Sequence, residues 1–494
     1  MNLRVHIASP SGIVVIETML LAIINFATYS ILLRVTDMEM IGLWVLVSSL
    51  LAFSRIADFW SHGLSSFVAE ALGRGDRPAA TGLVSTASIT GAAGYFILAS
   101  IGTAVVYLLA DSIAGVDHAA SLRGVLPLIA ATFWLTSLAG VYQLAFFGFG
   151  RPLLKAIQTL GGALLFMLAA TLLTPEYGLA GIILAQALQS VAMLGFALVA
   201  FHGFIATKGS TLWQRGHLAS LVAFGSKAIP VGVFQLMIEP VLRLLVNYFG
   251  GLATVAVVDL ASRLIALARG VIVSLGQILV PAFAHLTAKS VFSAGALYRD
   301  TNQLFLIVSI PAFSLMLSAV PLLEEILFGR PEGQFLPSIW ILSVAWFANL
   351  VASPAYFFML GRRRLRPLFW SHVIMTVGAI ILGSLGGLLT GLYGALVGVS
   401  VAFIAAAIYL IRQAEHVVGE PAGYRRFLHG RPQALLPLLA TLLIAIAINI
   451  NSEYLFSASH RFVVYGLSIA ATLGTCLGVV RIRDVLMLAG RIKY

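Results

Sequence analysis

Charged side chains and cysteine are scarce in this chain of 494 residues. Only 10% of the residues are charged and 60% are hydrophobic, whereas about 25% of the residues of a soluble globular protein are charged. The composition therefore excludes a soluble globular protein and predicts a polytopic membrane protein. The single cysteine, Cys476, excludes an intrachain disulfide and a cysteine metal cluster. We expect neither a metal nor a cofactor.

Long soluble connections are also lacking, because apolar segments follow one another along most of the chain. A spanning helix needs about 20 apolar residues, and the sequence predicts about 14 such helices. They are placed at 12–33, 40–66, 82–110, 124–147, 156–174, 178–204, 220–248, 252–283, 301–327, 335–360, 368–389, 392–412, 433–451 and 461–481. The longest connection, 413–432, leaves no room for a soluble catalytic domain, so we expect a protein that is not an enzyme.

The distribution of Lys and Arg predicts the orientation of the chain. With the N-terminus in the cytoplasm, the inner loops hold 21 basic residues and the outer loops hold 4. Short cytoplasmic loops are enriched in Lys and Arg, so this asymmetry predicts an even number of helices with both termini in the cytoplasm. The same bases are spread over many loops and form no single basic face, which argues against a nucleic-acid partner.

An internal repeat indicates how the helices are arranged. The segment 146–151 recurs at 357–362, an offset of 211, and 177–181 is answered by 393–398, an offset near 216. Six predicted helices separate the copies, which therefore share one orientation. The repeat predicts two six-helix lobes in a parallel pseudo-twofold arrangement plus a C-terminal hairpin. The expected divisions are 1–218, 219–412 and 413–494.

Nine charged residues lie inside predicted spanning helices and away from the first and last turns of those helices. An ionised side chain at bilayer depth costs about 2.5–3.5 kcal/mol, so we expect each to face a polar interior or a partner. The bases are Arg55, Lys227, Arg243, Arg263 and Arg269, and the acids are Glu17, Asp58, Glu239 and Asp259. Bases exceed acids by one, which favours an anionic ligand between the lobes.

Helical spacing divides these charges into pairs and unpaired bases. Residues three or four apart share a helix face, which predicts the pairs Arg55–Asp58, Glu239–Arg243 and Asp259–Arg263. Lys227 and Arg269 have no acid at that spacing. The substrate-binding candidates are Arg55, Lys227, Arg263 and Arg269, and the candidates for coupling or gating are Asp58, Glu239, Arg243 and Asp259.

Each of these candidates has a plainer interpretation. The pairs serve equally well as structural ion pairs, and long basic side chains near helix ends can extend to the headgroups. A carboxylate in low dielectric can carry a proton near neutral pH, which makes Glu239 and Glu17 candidates and leaves coupling to protons or sodium open.

Several segments resemble a known transporter family. They are Ile41–Trp44, Leu64–Asp76, Phe224–Pro230, Asp259–Leu264 and Val280–Phe283. They resemble the polysaccharide and O-antigen flippases of the multidrug/oligosaccharidyl-lipid/polysaccharide exporter superfamily, over residues 12–412. Glu239 stands where many members have an aspartate, which weakens any transfer of that pair's role.

The resemblance implies a flippase that moves an undecaprenyl-diphosphate-linked oligosaccharide across a bacterial inner membrane. Such proteins work by alternating access, with a cationic cavity for the diphosphate and a lateral opening for the lipid. The implied partners are the polyprenyl-diphosphate-linked oligosaccharide, the lipid bilayer, and polysaccharide polymerase or export proteins. Two alternatives stay open: a cation-coupled multidrug exporter of the same superfamily, and a membrane-embedded polysaccharide polymerase or ligase.

Overall fold

All of the secondary structure in the described part of the chain is helical. The computed structural model describes residues 10–52, 63–205, 213–277, 279, 283, 291–328, 332–362, 364–419 and 458–479. The helices are α1 (Pro10–Val35), α2 (Met38–Ala52), α3 (Leu64–Gly73), α4 (Arg77–Leu108), α5 (Ala110–Gly148), α6 (Pro152–Phe204), α7 (Arg215–Gln277), α8 (Val291–Phe328), α9 (Phe335–Gly361), α10 (Leu365–Thr390), α11 (Leu392–Val418) and α12 (Ala458–Val479). The predicted all-α membrane fold is confirmed.

Nine helices in these ranges are long and apolar enough to cross a membrane. One of them, α6, has 53 residues and would be about 80 Å long if straight, at about 1.5 Å per residue. It reverses direction at Gly178, whose φ of 54° and ψ of −127° interrupt the helix. As a result, the Gln158 Nε2 atom donates to the Met193 carbonyl oxygen over 3.0 Å. Thus α6 is an antiparallel hairpin that holds two predicted spans, while the total of fourteen stays a prediction.

The hairpin made by α10 and α11 repeats the local structure of α6. Gly391, with φ of 70° and ψ of −148°, lies between the two helices. The Ser371 hydroxyl donates to the Ala406 carbonyl oxygen over 3.3 Å, and both residues stand 213 positions after the equivalent pair in α6. The same hairpin is therefore present in both halves of the chain, as the internal repeat predicted.

The turn that precedes each hairpin follows the same offset. The Arg151 amide donates to the Phe146 carbonyl oxygen over 2.8 Å, and the Arg364 amide donates to the Met359 carbonyl oxygen over 2.9 Å. The offsets of 211 and 216 inferred from the sequence were wrong, because they aligned similar side chains. The hydrogen bonds of the turn and those between the helices align the two copies of the repeat at an offset of 213 residues.

The chain forms two compact units, Met1–Asp259 and Leu260–Tyr494. The core of the first unit lies among α3, α4, α5 and α6, where the rings of Tyr142 and Phe201 meet edge to face at 5.4 Å. In the second unit the rings of Tyr298 and Phe358 lie 5.2 Å apart. The boundaries expected at 218 and 412 stay predictions.

Close packing of α10 on α11 depends on Gly398. A Cβ atom there would overlap the backbone of Leu382 and lie 2.7 Å from the Gly383 nitrogen. We expect Gly398→Ala to destabilise the protein by about 1–3 kcal/mol, the usual cost of overpacking. The measurement is the free energy of unfolding in mixed micelles. Gly195→Ala is the control, since nothing lies within 4 Å of its Cβ position; equal effects in the two variants would contradict the prediction.

Candidate functional site

The described residues include five of the eight predicted site residues, all on α7. Arg55 and Asp58 lie outside the described residues, and so does the side chain of Lys227. The remaining five are Glu239, Arg243, Asp259, Arg263 and Arg269. The helix is interrupted at Gly251, where φ is 81° and ψ is 174°, and this break determines which of the charges meet.

Arg243 and Asp259 form a buried ion pair across the break in α7. The Arg243 Nη2 and Nε atoms lie 2.6 Å and 3.1 Å from the Asp259 Oδ1 atom, and Asp259 is 2% exposed. A charge-assisted hydrogen bond of this length is among the strong interactions in proteins. The spacing rule did not predict this pair, because its members are 16 residues apart. A signal was nonetheless present, since the two residues stand at equal distances on either side of Gly251.

The predicted pair of Glu239 and Arg243 is also present, in a looser form. The Arg243 Nη2 atom lies 3.5 Å from the Glu239 Oε2 atom, and the Glu239 side chain is 63% exposed. Arg243 therefore binds one buried and one exposed carboxylate. Its charge is balanced within the first unit, which makes it a structural residue as much as a candidate for gating.

Two hydrogen bonds hold the backbone of α7 close to its break. The Tyr29 hydroxyl of α1 donates to the Ala256 carbonyl oxygen over 2.7 Å. The Asn247 amide donates from Nδ2 to the Ile113 carbonyl oxygen of α5 over 3.0 Å. Since these bonds brace α7 on both sides of Gly251, they also hold Arg243 and Asp259 in register.

Glu17 has a partner that the sequence did not reveal. The Lys155 Nζ atom of α6 lies 3.0 Å and 3.1 Å from the two carboxylate oxygens of Glu17 on α1, and Glu17 is 4% exposed. The partners are 138 residues apart, and the sequence places Lys155 in an inner loop, one residue before the predicted helix 156–174. Glu17 is therefore half of a buried ion pair between α1 and α6 and is not an isolated carboxylate.

Arg269 contacts an aromatic side chain in the second unit. Its guanidinium carbon lies 4.3 Å from the centre of the Trp346 ring on α9, and Trp346 meets Phe403 edge to face at 5.0 Å. A cation over the face of an indole is attracted by the ring, so this contact helps to position the guanidinium of Arg269. Arg263 is half-buried on the same part of α7.

Charge is the chemistry that these side chains offer. Arginine stays protonated at any physiological pH and presents several N–H donors that match phosphate or carboxylate oxygens. In the ranges that the structure describes, no three His, Cys, Asp or Glu side chains are grouped so that they could hold a metal ion. The guanidinium groups of Arg263 and Arg269 are of a type that can bind anionic groups.

Comparison with known proteins relates this fold to membrane transporters. No family model matches the chain, and no curated protein sequence matches it. Solved structures do match. An inward-facing multidrug resistance MATE family transporter of the MOP superfamily aligns with a TM-score of 0.69 and 14% identity, over 82% of this chain and 94% of that chain.

Two further structures cover different extents of the chain. The lipid II flippase MurJ, in an inward closed conformation, aligns with a TM-score of 0.64 and 13% identity, over 96% of this chain and 97% of that chain. A MOP superfamily transporter from Pyrococcus furiosus, described as having a binding pocket of reverse polarity, aligns with a TM-score of 0.61 and 16% identity, over 83% and 96%. The chain has the fold of these transporters and is a multi-pass membrane protein.

Proposed function

We propose that this protein is a flippase for a polyprenyl-diphosphate-linked oligosaccharide, the precursor of an O-antigen or exopolysaccharide. The observation that carries the proposal is the extent of the alignment. The lipid II flippase aligns with 96% of this chain, whereas the multidrug transporter aligns with 82%. Most of the part of this chain that the multidrug transporter alignment leaves out is therefore shared with a protein named for a lipid-linked substrate.

The basic residues of α7 support an anionic substrate. Arg263 and Arg269 are half-buried, and the guanidinium of Arg269 is oriented by Trp346. A diphosphate spreads its charge over several oxygens, which suits planar guanidinium donors. In this proposal Arg55, Lys227, Arg263 and Arg269 bind the diphosphate and sugars.

The membrane location, the orientation and the mode of transport are those predicted from the sequence. The protein lies in a bacterial inner membrane with both termini in the cytoplasm, and transport proceeds by alternating access. The ion pairs that involve Asp58, Glu239, Arg243 and Asp259 act in coupling or in gating between the inward-open and outward-open states. Polysaccharide polymerase or export proteins act on the translocated product.

Arg269→Gln tests the substrate contact. We expect the rate of flipping of a fluorescent lipid-linked oligosaccharide in proteoliposomes to fall about 10- to 100-fold, which corresponds to the loss of one or two charge-assisted hydrogen bonds. Arg263→Gln should act in the same direction. The matched control is Arg74→Gln, since Arg74 is exposed and paired with Glu70 on the surface. Flipping at wild-type rates in both α7 variants would refute the assignment of these residues.

A cation-coupled multidrug exporter is the second candidate function. The multidrug MATE transporter aligns with a TM-score of 0.69, against 0.64 for the lipid II flippase. The same proteoliposomes separate the two candidates: a cationic dye driven by a proton or sodium gradient should accumulate only if the exporter function is right. Dye transport without any flipping of the oligosaccharide would reverse our preference.

A further inference from the structure

The turn between α9 and α10 carries arginines that the proposed function does not use. Arg362 and Arg364 lie in the turn, and Arg366 lies in the first turn of α10. Arg363 lies outside the described residues. The first turn of α10 contains no acidic residue, and Arg364 at its N-cap makes no capping hydrogen bond through its side chain. The free N–H groups of a helix N-terminus therefore add to the positive charge of the arginines.

Arg362 is held in a position that lacks an acceptor. Its guanidinium carbon lies 5.5 Å from the centre of the Phe358 ring. Its Nη1 atom is buried, without a hydrogen-bond partner among the described residues. Buried polar groups are nearly always hydrogen-bonded, and a buried guanidinium nitrogen without an acceptor is a costly exception. The position calls for an acceptor that the described protein residues do not supply.

The electrostatic environment points in the same direction. Burial and the neighbouring charge of Arg364 both lower the pKa of the Arg362 guanidinium. Both effects disfavour the charged form of the Arg362 guanidinium in this position. An anion bound between the two arginines would remove the repulsion and supply the missing acceptor together.

The internal repeat shows that the turn does not need these arginines for its shape. In the first unit the equivalent turn makes the same backbone hydrogen bond, from the Arg151 amide to the Phe146 carbonyl oxygen. At the offset of 213, Arg364 corresponds to Arg151, but Arg362 and Arg366 correspond to Phe149 and Leu153. The two additional arginines therefore belong to something other than folding of the turn.

We propose that Arg362 and Arg364, together with the N-terminus of α10, bind a phosphate group. A guanidinium presents paired N–H donors that match the oxygens of a phosphate. Trp370, in the second turn of α10, is 44% exposed, and aromatic side chains are enriched in the headgroup region. The phosphate comes either from an anionic phospholipid headgroup or from a soluble phosphate compound. The inference does not depend on which substrate the protein transports.

The test compares lipid binding by Arg362→Gln with binding by the wild type. Protein is placed in nanodiscs of phosphatidylcholine with and without phosphatidylglycerol, and bound lipid is counted by native mass spectrometry. We expect the variant to bind phosphatidylglycerol about 10- to 100-fold more weakly. A second arm titrates inorganic pyrophosphate in phosphatidylcholine alone and follows the midpoint of thermal unfolding; a shift only there identifies a soluble source.

Two variants keep the test decisive. Arg74→Gln removes one exposed arginine from another helix end and should leave lipid binding unchanged. Arg364→Gln leaves the contact between Arg362 and Phe358 in place and should weaken binding even if Arg362→Gln does not fold. The proposal is overturned if neither phosphatidylglycerol nor pyrophosphate binds, or if Arg74→Gln weakens binding as much as the Arg364 variant.

Discussion

Replacement of Lys155 by alanine is expected to reduce the free energy of unfolding by about 3–5 kcal/mol. This is the usual cost of removing one partner from a buried ion pair, because the remaining charge is left without compensation. Glu17 is 4% exposed, and both of its carboxylate oxygens lie within 3.1 Å of the Lys155 Nζ atom. The measurement is reversible unfolding in mixed detergent micelles, followed by tryptophan fluorescence.

Two controls show whether the loss of stability arises from the Glu17 carboxylate that is left without its lysine. Addition of Glu17→Gln to the Lys155 variant should restore most of the stability, since an amide carries no charge. Arg74→Ala breaks an exposed pair with Glu70 of similar length, 2.9 Å, and should cost only about 0.3–0.5 kcal/mol. If Lys155→Ala cost no more than Arg74→Ala, Glu17 would not depend on its lysine.

Replacement of Arg243 by alanine is expected to have a comparable effect, again about 3–5 kcal/mol. Asp259 is 2% exposed, and its Oδ1 atom accepts two hydrogen bonds from Arg243. Without the guanidinium, the buried carboxylate loses both of these hydrogen bonds. The measurement is the same unfolding experiment.

Glu239→Ala is the matched control for the Arg243 variant. It removes the other carboxylate beside Arg243, but that side chain is 63% exposed and 3.5 Å away, so we expect a loss of less than about 1 kcal/mol. If Glu239→Ala and Arg243→Ala reduced the free energy of unfolding equally, the buried pair of Arg243 and Asp259 would contribute no more to stability than the exposed pair.

The sequence predicted the all-helical membrane fold correctly because long apolar helices depend on local runs of apolar residues, while the number and bounds of the fourteen spans stay predictions. The division predicted between the spans 368–389 and 392–412 is the observed turn at Gly391, and Glu239 does lie beside Arg243 as the spacing indicated. Both are effects of residues close together in the chain. The all-helical architecture follows from the same local signal, because a membrane requires every backbone group to be satisfied internally.

The ion pairs were predictable only in part, because two of them join residues far apart in sequence. Lys155 and Glu17 are separated by 138 positions, and no periodicity connects them. Arg243 and Asp259 meet because Gly251 interrupts α7, which spacing rules for a continuous helix do not anticipate. The roles of Arg55, Asp58 and Lys227 stay predictions.

The hydrogen bonds inside the two hairpins explain how such a fold outlasts its sequence. Gln158 and Ser371 occupy equivalent positions and share no chemistry beyond a donor, yet each bonds to a main-chain oxygen of the facing helix. A main-chain acceptor is present whichever amino acid is encoded, so any side chain able to donate can replace another without a change in register. Divergence can therefore erase recognisable similarity while the architecture persists, as it has between this chain and solved transporters only 13–16% identical to it.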